Sequence, residues 1–512
     1  MNSALTLTDS VIQLNSEDDV VICRKALVAG QPVTDLVSAS QGIGAGHKVA
    51  VRQIGQGQPV RRYGQIIGFA TRPIQAGEHV HEHNIAVGDF AKDYAFCESV
   101  RTTDFVANPA TFQGFVRDDG RVGTRNYIGI LTTVNCSAHV ANLVAKSFER
   151  NPLTGHDPLA DYPNVDGVVA LTHKTGCGMS SGEPLAILRR TLAGYARHPN
   201  FYRVIVIGLG CEVNQVSTFL REAGLEERVV GLNIQSEGGS EKAARALMEN
   251  VREALAGAQQ AQRTTVPASA LSVALVCGGS DGYSGISANP ALGAASDLVV
   301  RHGGTVILSE TPETFGAEHL LTRRAERREV GEKLVDRIKW WDAYARRENV
   351  SLNANPSPGN KAGGLTTILE KSLGAITKAG STNLRQVVEY AEPVTEKGFV
   401  FMDAPGYDPV QVTGQIAGGA NVVVFTTGRG SVFGAKPVPS IKLATNTPMY
   451  QRMKDDMDIN CGTILDGDET LEDCGKRIFE EILRAASGKK TCSERMDFGQ
   501  SEFAPWVLGA VI

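Results

Sequence analysis

The chain has 512 residues, ordinary apolar content and a formal charge of −5. That length holds two to four compact domains, and so mild an acidic balance argues against a nucleic-acid or membrane-surface binder. No window approaches the ~18 consecutive apolar residues of a membrane span, and "MNSALTLTDSVIQLNSEDDV" lacks the basic stretch and apolar core of a secretory signal.

Residues 1–88 read as short strands between glycine turns: "VIQLN", "VVICRKALV", "HKVAVRQI", "YGQIIGFAT" and "EHVHEHNIAV" alternate or run apolar, and no helical period competes. This is a small all-β module. Near its end, "GEHVHEHN" carries His79, His81 and His83 at two-residue spacing. On a strand they share one face with about 7 Å between neighbours. His81 and His83, joined by His47 of "AGHKVA", form a candidate second metal site; a surface ladder of histidines fits the pattern equally well. Residues 89–112 keep no period and read as a linker.

From residue 113 the rhythm becomes apolar run, glycine or cysteine turn, amphipathic helix. "YIGILTTV" leads through "NCSAH", "VDGVVALTH" through "KTGCGMSSGE", and "YRVIVIGLG" through "CEVNQ". Buried strands alternating with helices predict a parallel, doubly wound sheet, so 113–262 is a Rossmann-like α/β domain. After the polar stretch "GAQQAQRTTVPASA" the rhythm resumes with "LSVALVCGGSDGYSG", which makes 263–512 a second, larger α/β domain.

Ligands of open α/β sheets bind beyond the carboxyl ends of the strands. Cys136, Cys177, Cys211 and Cys277 each fall at or just after such an end, where thiolates could converge on a soft metal or an iron–sulfur cluster. The plain alternative is a small buried residue beside a turn. Nine cysteines without a compact disulfide framework suggest reduced thiols and a cytoplasmic location. "GLGCEV" lacks the third glycine of a dinucleotide loop, and no GxxxxGK[ST] occurs, so a nucleotide cofactor has little support. Other predicted strand-end loops offer Arg125 and Asn126, His173 and Lys174, Ser280, Asp281 and Asn289, Asn360 and Lys361, and Arg429. Arginine forks suit carboxylates, and Asn, Ser and Asp suit vicinal hydroxyls. Together they point to a polar, polyhydroxylated, anionic small molecule.

"DDGRVGTRN", "GLGCEVNQ", "CGGSDGYSGISANPALG", "NPSPGNKAGG" and "FTTGRGSVFG", with "GHKVA", "YGQIIGFA" and "CSERMDF", resemble the altronate dehydratase and galactarate dehydratase family in the same order along nearly the whole chain. The resemblance implies an SAF-type β-clip module followed by two α/β domains. It also implies a metal-dependent hydro-lyase, using Fe2+ or another divalent ion such as Mn2+, with an iron–sulfur cluster as the alternative. The substrate would be altronate, giving 2-dehydro-3-deoxy-gluconate, or galactarate, giving 5-dehydro-4-deoxy-glucarate. On this reading Cys136, Cys177 and Cys211, with Cys277, hold the metal. His173, Lys174 and Lys361 are the candidate base and acid. Arg125, Asn126, Ser280, Asp281, Asn289, Asn360 and Arg429 hold the substrate. A homo-oligomer without nucleic-acid or membrane partners is expected. A sulfo-lyase acting on a sulfonated hydroxy acid and a non-catalytic sugar-acid binder are the alternative functions.

Overall fold

The computed structural model describes residues 6–7, 9–88, 92, 94–151 and 154–509. The N-terminal module is made of short strands. Five antiparallel ones run in the order Thr6–Leu7, Val11–Gln13, Val20–Cys23, Lys48–Ala50 and His79–Val80, and three more comprise Ile85–Ala86, Gln65–Ala70 and Pro59–Arg62. Alternation sends one face inward: Val11, Val21, Cys23, Leu27 and Val49 form a small local core. The opposite set, Val20, Ala50, Ile54, Val60, Ile67 and Val80, belongs to the core of the C-terminal domain. The module is therefore buried on two sides, with its second face completed by the rest of the chain.

Of the predicted linker 89–112, residues 89–91 and 93 lie outside the described part. The remainder is strapped to the C-terminal domain. Lys92 Nζ and Tyr94 Oη both donate to Glu318 at 2.7 Å, Thr322 Oγ1 donates to the Ala95 carbonyl, and Asn383 bonds both backbone groups of Arg101. Up to Ala110 its described hydrogen bonds go to scattered side chains and backbone groups of distant segments and not to a ladder, which is why it carries no period; Thr111 and Phe112 already belong to a strand.

The second domain centres on a parallel sheet of β1 (Tyr127–Thr132), β2 (Gly167–Leu171), β3 (Phe201–Gly208) and β4 (Val230–Asn233), in the spatial order β2-β1-β3-β4. Helix α1 (Ala138–Lys146) and the long helix α2 (Ser240–Ala258) share the core on one face. On the other face, Ile187, Leu188 and Leu192 of the helix Glu183–Ala196 share a core with the C-terminal domain. Strand Thr111–Val116 pairs with Thr264–Pro267, so the chain enters and leaves this domain side by side.

The C-terminal domain has seven parallel strands: β5 (Ser272–Cys277), β6 (Thr305–Leu308), β7 (Leu384–Val388), β8 (Gly398–Met402), β9 (Val422–Thr427), β10 (Ser440–Ala444) and β11 (Ile459–Asn460). Their order is β7-β8-β6-β5-β9-β10-β11. The strands are buried on both faces, as parallel sheets require. From β5 the chain first builds toward β7, then crosses to β9, so the topological switch lies between β5 and β9. In the second domain it lies between β1 and β3. Among the described residues no helix is long and apolar enough to cross a membrane.

Candidate active site

Cys136, Cys177 and Cys211 follow β1, β2 and β3, three neighbouring strands at the carboxyl edge of the second domain, and all three are exposed. Their loops are tied together. Asn135 N–H donates to the Thr175 carbonyl at 3.1 Å, and Asn214 N–H to the Gly176 carbonyl at 3.1 Å. Buried Glu212 accepts from Thr133 Oγ1 at 2.7 Å, from Leu209 N–H and from Gly210 N–H. Gly176, at φ +99°, lets the second loop cross the first: a Cβ there would stand 2.1 Å from the Thr133 carbonyl oxygen. Glu212 and Asn214 lie beside the cysteine in "GLGCEVNQ", where the sulfur alone drew the prediction.

Cys277 does not join them. It ends β5 in the other sheet, fully buried, with Lys378 Nζ 2.7 Å from its sulfur. Burial, then the neighbouring Glu310, pushes its thiol up to about 12, and its place in the other sheet separates it from the three remaining cysteines of the predicted metal set. Among the described residues, Cys277, Glu310 and Glu313 are the group whose ligand atoms all lie within 4.8 Å of one another. The chain supplies its own cations there: Lys378 pairs with Glu310 at 2.7 Å, and Lys371 with Glu313 at 2.9 Å.

His173 is buried. Its Nε2 contacts the Thr132 carbonyl at 2.9 Å, and its Nδ1 accepts from Thr175 N–H at 3.2 Å. Burial pulls its basicity down to about 4. With both nitrogens engaged it anchors the cysteine loop and has no lone pair free to act as a base, which corrects the predicted role. Lys174 is exposed at the rim beside Cys177. Lys361 pairs with Glu82 at 3.1 Å.

Arg125 and Asn126 precede β1 and therefore sit at the amino edge, opposite the cysteines. Arg125 is buried in a bidentate pair with Glu494, at 2.6 and 2.8 Å, and donates to the Ala485 and Lys489 carbonyls. Asn126 Nδ2 donates to the Asn164 and Ala258 carbonyls. Both are structural clamps, a correction that follows from strand direction. Asn289 links helix Ala288–Arg301 to Thr426 and to the Gly374 carbonyl. Asn360 closes a capping box with Ser357 and donates to the Ser280 carbonyl. Neither amide is free for a substrate. Ser280 and Asp281 do lie at the switch point after β5. Buried Asp281 accepts from Thr445 Oγ1 at 3.0 Å, Asn446 Nδ2 at 3.2 Å and Ser284 Oγ at 3.1 Å. Arg429, after β9, is exposed there, and its backbone N–H donates to the Gly279 carbonyl.

The histidines meet at a domain joint. Only His79 lies in a strand, because the chain turns after Val80. His47 Nδ1 is 3.0 Å from His79 Nε2, and His47 Nε2 contacts the Ala362 carbonyl. His81 Nε2 contacts the Lys361 carbonyl at 3.0 Å, and its Nδ1 accepts from Glu82 N–H. With these nitrogens committed, His47 and His81 offer no free pair of ring nitrogens to the predicted metal site with His83, and the cluster packs the β module against residues 361–362. Burial lowers the basicity of His47, His79 and His81, with His79 brought to about 3. The unfolded chain, titrating near 6.5, then binds protons that the folded one refuses. Stability is fully present above pH 6.5 and is lost as pH falls toward 3. Melting temperature should drop between pH 7.5 and 5, and His79→Gln should flatten that slope. His173 and His198, each brought to about 4 by burial, act in the same direction, so the joint's share is the difference between variant and parent.

A cavity of about 820 Å3 lies between the second and C-terminal domains, lined by Arg121, Arg190, Ser272 and Thr305. Ser272 and Thr305 open their strands, so this cavity faces the amino edge, away from the cysteines and Asp281. The chemistry-bearing side chains, not this cavity, mark the site.

Comparison with known proteins fits this anatomy. Residues 9–88 match the altronate/galactarate dehydratase SAF domain, 114–259 the D-galactarate dehydratase/altronate hydrolase second domain, and 268–511 the D-galactarate/altronate dehydratase C-terminal domain. The chain is 39 % identical over 500 residues to galactarate dehydratase (L-threo-forming) of Escherichia coli strain K12, covering 95 % of this chain and 94 % of that one. It is 35 % identical to altronate dehydratase of Bacillus subtilis strain 168, covering 96 % and 97 %. It is 34 % identical over 397 residues to the (2R)-sulfolactate sulfo-lyase beta subunit of Chromohalobacter salexigens, covering 77 % of this chain and 96 % of that one. With all three of its parts matched in order, the chain belongs to the altronate/galactarate dehydratase family.

Proposed function

We propose that the chain is a cytoplasmic hydro-lyase that removes water from a six-carbon sugar acid, altronate or galactarate, at the sulfur-lined edge of the second domain. The observation that carries this reading is the set of exposed Cys136, Cys177 and Cys211 on three hydrogen-bonded loops after adjacent parallel strands. Relatives named as dehydratases of these two acids support the substrate class.

Three thiols without a carboxylate partner suit iron better than Mn2+. Among the described residues their sulfurs do not form a group within 4.8 Å, so a single ion gripped by all three does not fit the loops as they stand, and an iron–sulfur cluster is the alternative. Bound there, such a centre supplies a Lewis acid for the substrate carboxylate, whose α-proton is otherwise too weakly acidic to remove. The chain's own residues do the rest. Glu212, Asn214 and His173 hold the loops in register, and Lys174 lies beside Cys177 as a donor. Arg429 presents an exposed guanidinium that bonds no other described side chain, a grip for the second carboxylate of a hexarate or the distal hydroxyls of a hexonate. Arg429→Met should raise KM by ~10–150-fold, the worth of a hydrogen bond to a charged group, with a smaller change in kcat.

The test of the function is a screen of anaerobically purified, iron-loaded protein against hexonates and hexarates, with 2-keto acid read by carbonyl derivatisation. Turnover of altronate or galactarate is the expected result. Sulfite release from sulfolactate without turnover of either would move the chain to the sulfo-lyase branch, and binding without turnover would make it a sugar-acid binder.

A further inference from the structure

The C-terminal sheet carries a second constellation that the sulfur edge does not use. At the carboxyl ends of β5, β6 and β8 lie Cys277, Glu310, Glu313, Lys371, Lys378 and, opening the ten-residue helix Asp408–Ala417, Asp408. Lys378 bridges Cys277 and Glu310, both at 2.7 Å. Lys371 bridges Glu313 at 2.9 Å and Asn355 at 2.8 Å, and Asn355 Nδ2 donates to Glu313 at 2.9 Å. Glu310 is held at φ +67°, a strained backbone for a glutamate that persists only where the surroundings over-determine it. Burying two lysines and two glutamates together costs several kcal/mol per ion before pairing returns it, so hydrophobic residues of the same volume would serve stability as well.

Asp408 differs from the rest. Its carboxyl is half-buried and accepts no hydrogen bond from any described residue. It presses on Gly278: a Cβ at that glycine would stand 2.3 Å from Asp408 Oδ2. Tyr407 beside it is exposed, so the knot reaches solvent at this point. Val410, two residues along the same helix, and Met179, two residues after Cys177, pack against the same apolar cluster, and Gly194 of helix Glu183–Ala196 meets the Ala417 backbone of helix Asp408–Ala417, so the helices that follow the two sheet edges pack together.

Resting on the dehydratase reading above, we propose that Asp408 is the general base that takes the α-proton of the sugar acid, with Lys371 and Lys378 as positioning residues that fix the charge around it. A carboxylate with no donor on it loses no hydrogen bond when it accepts a proton. Asp408 takes the hydrogen from the carbon next to the carboxylate, and the C–H electron pair becomes the new C=C bond. The β-C–O bond breaks with its electron pair on oxygen, the hydroxide takes a solvent proton and leaves as water, and Asp408 returns its proton to solvent. The enol product then tautomerises to the 2-keto acid. Burial, followed by the charges of Glu310 and Glu313, raises the Asp408 carboxyl to about 7, where a general base is most effective near neutral pH.

The experiment compares parent, Asp408→Asn and Asp408→Glu, each loaded with iron and assayed with protiated and α-deuterated substrate. Asp408→Asn should lose ~10²–10⁴-fold in kcat, the usual share of a general base, with an unchanged melting temperature. Asp408→Glu should keep measurable turnover, with a larger deuterium isotope effect than the parent because proton removal has become limiting. Asp408→Asn within tenfold of the parent in kcat, or a loss expressed in KM alone, would overturn the assignment, as would an Asp408→Glu enzyme no more active than Asp408→Asn or one whose isotope effect does not change. A parent protein inactive on every sugar acid tried would instead overturn the dehydratase reading itself, and this assignment with it.

Discussion

Converting Cys177 and Cys211 together to serine is expected to strip the protein of iron and to reduce turnover by ~10³-fold or more, the several kcal/mol that a Lewis acid contributes to a charged transition state. Serine matches cysteine in size but offers a hydroxyl that holds its proton at neutral pH, so it cannot replace a soft thiolate ligand. Both residues are exposed, and neither fills a core. The metal-free fold should therefore change by no more than ~0.5 kcal/mol, as for ordinary surface substitutions. Iron and sulfide analysis of anaerobically purified protein, with the visible absorption spectrum, reads the first effect, and urea denaturation of metal-free protein reads the second. Iron retained at the parent level would refute the ligand assignment.

The largest stability effect is expected at Glu370. Its carboxylate is fully buried and accepts from Lys48 Nζ at 2.9 Å, Arg62 Nη1 at 2.5 Å and Thr366 Oγ1 at 2.7 Å. Lys48 and Arg62 belong to the β module and Glu370 to helix Ile368–Ala375 of the C-terminal domain, so this ion knot joins them. Burial alone would raise the carboxyl, but Lys48 and then Arg62 bring it down to about 2. Glu370→Ala leaves two cations buried without their counter-charge, a loss of ~3–5 kcal/mol. That is a large part of a typical domain's stability. The variant should show an early unfolding transition for the β module, and limited proteolysis should release residues 1–88 from an intact body. A single transition coinciding with the parent's would show that the knot does not hold the joint.

The layered architecture was legible because its signals are local. Apolar runs ending in glycine or cysteine mark strands of parallel sheets, and Gly/Pro punctuation marks the short strands of the module. The ends of those strands were harder to read. "GRVGTRN" looks like a strand-end loop, yet Arg125 and Asn126 precede β1, so their donors serve Glu494 and backbone carbonyls at the amino edge. Cys277 shares its topological position with the other three cysteines but ends a strand of another sheet, a difference that only tertiary arrangement reveals. Lys371 and Lys378 escaped notice because "ILEKSLGAITKAG" reads as an ordinary amphipathic stretch. Their burial depends on Glu313 and Glu310, some 60 residues earlier in the chain. Asp408 stands in "MDAPGYDP", where nothing local separates a free carboxyl from a helix start.

The pairing of Thr111 with Pro267 has a practical corollary. Because both ends of the sulfur-bearing unit leave the body at one place, it can be treated as a cassette: two cuts would lift it out, and a short bridge could close the gap. Grafting in the corresponding segment of a relative with another preference would ask which half of the molecule sets the choice of acid. The graft must bring a counterpart of Arg125, the bolt that seats the unit on Glu494.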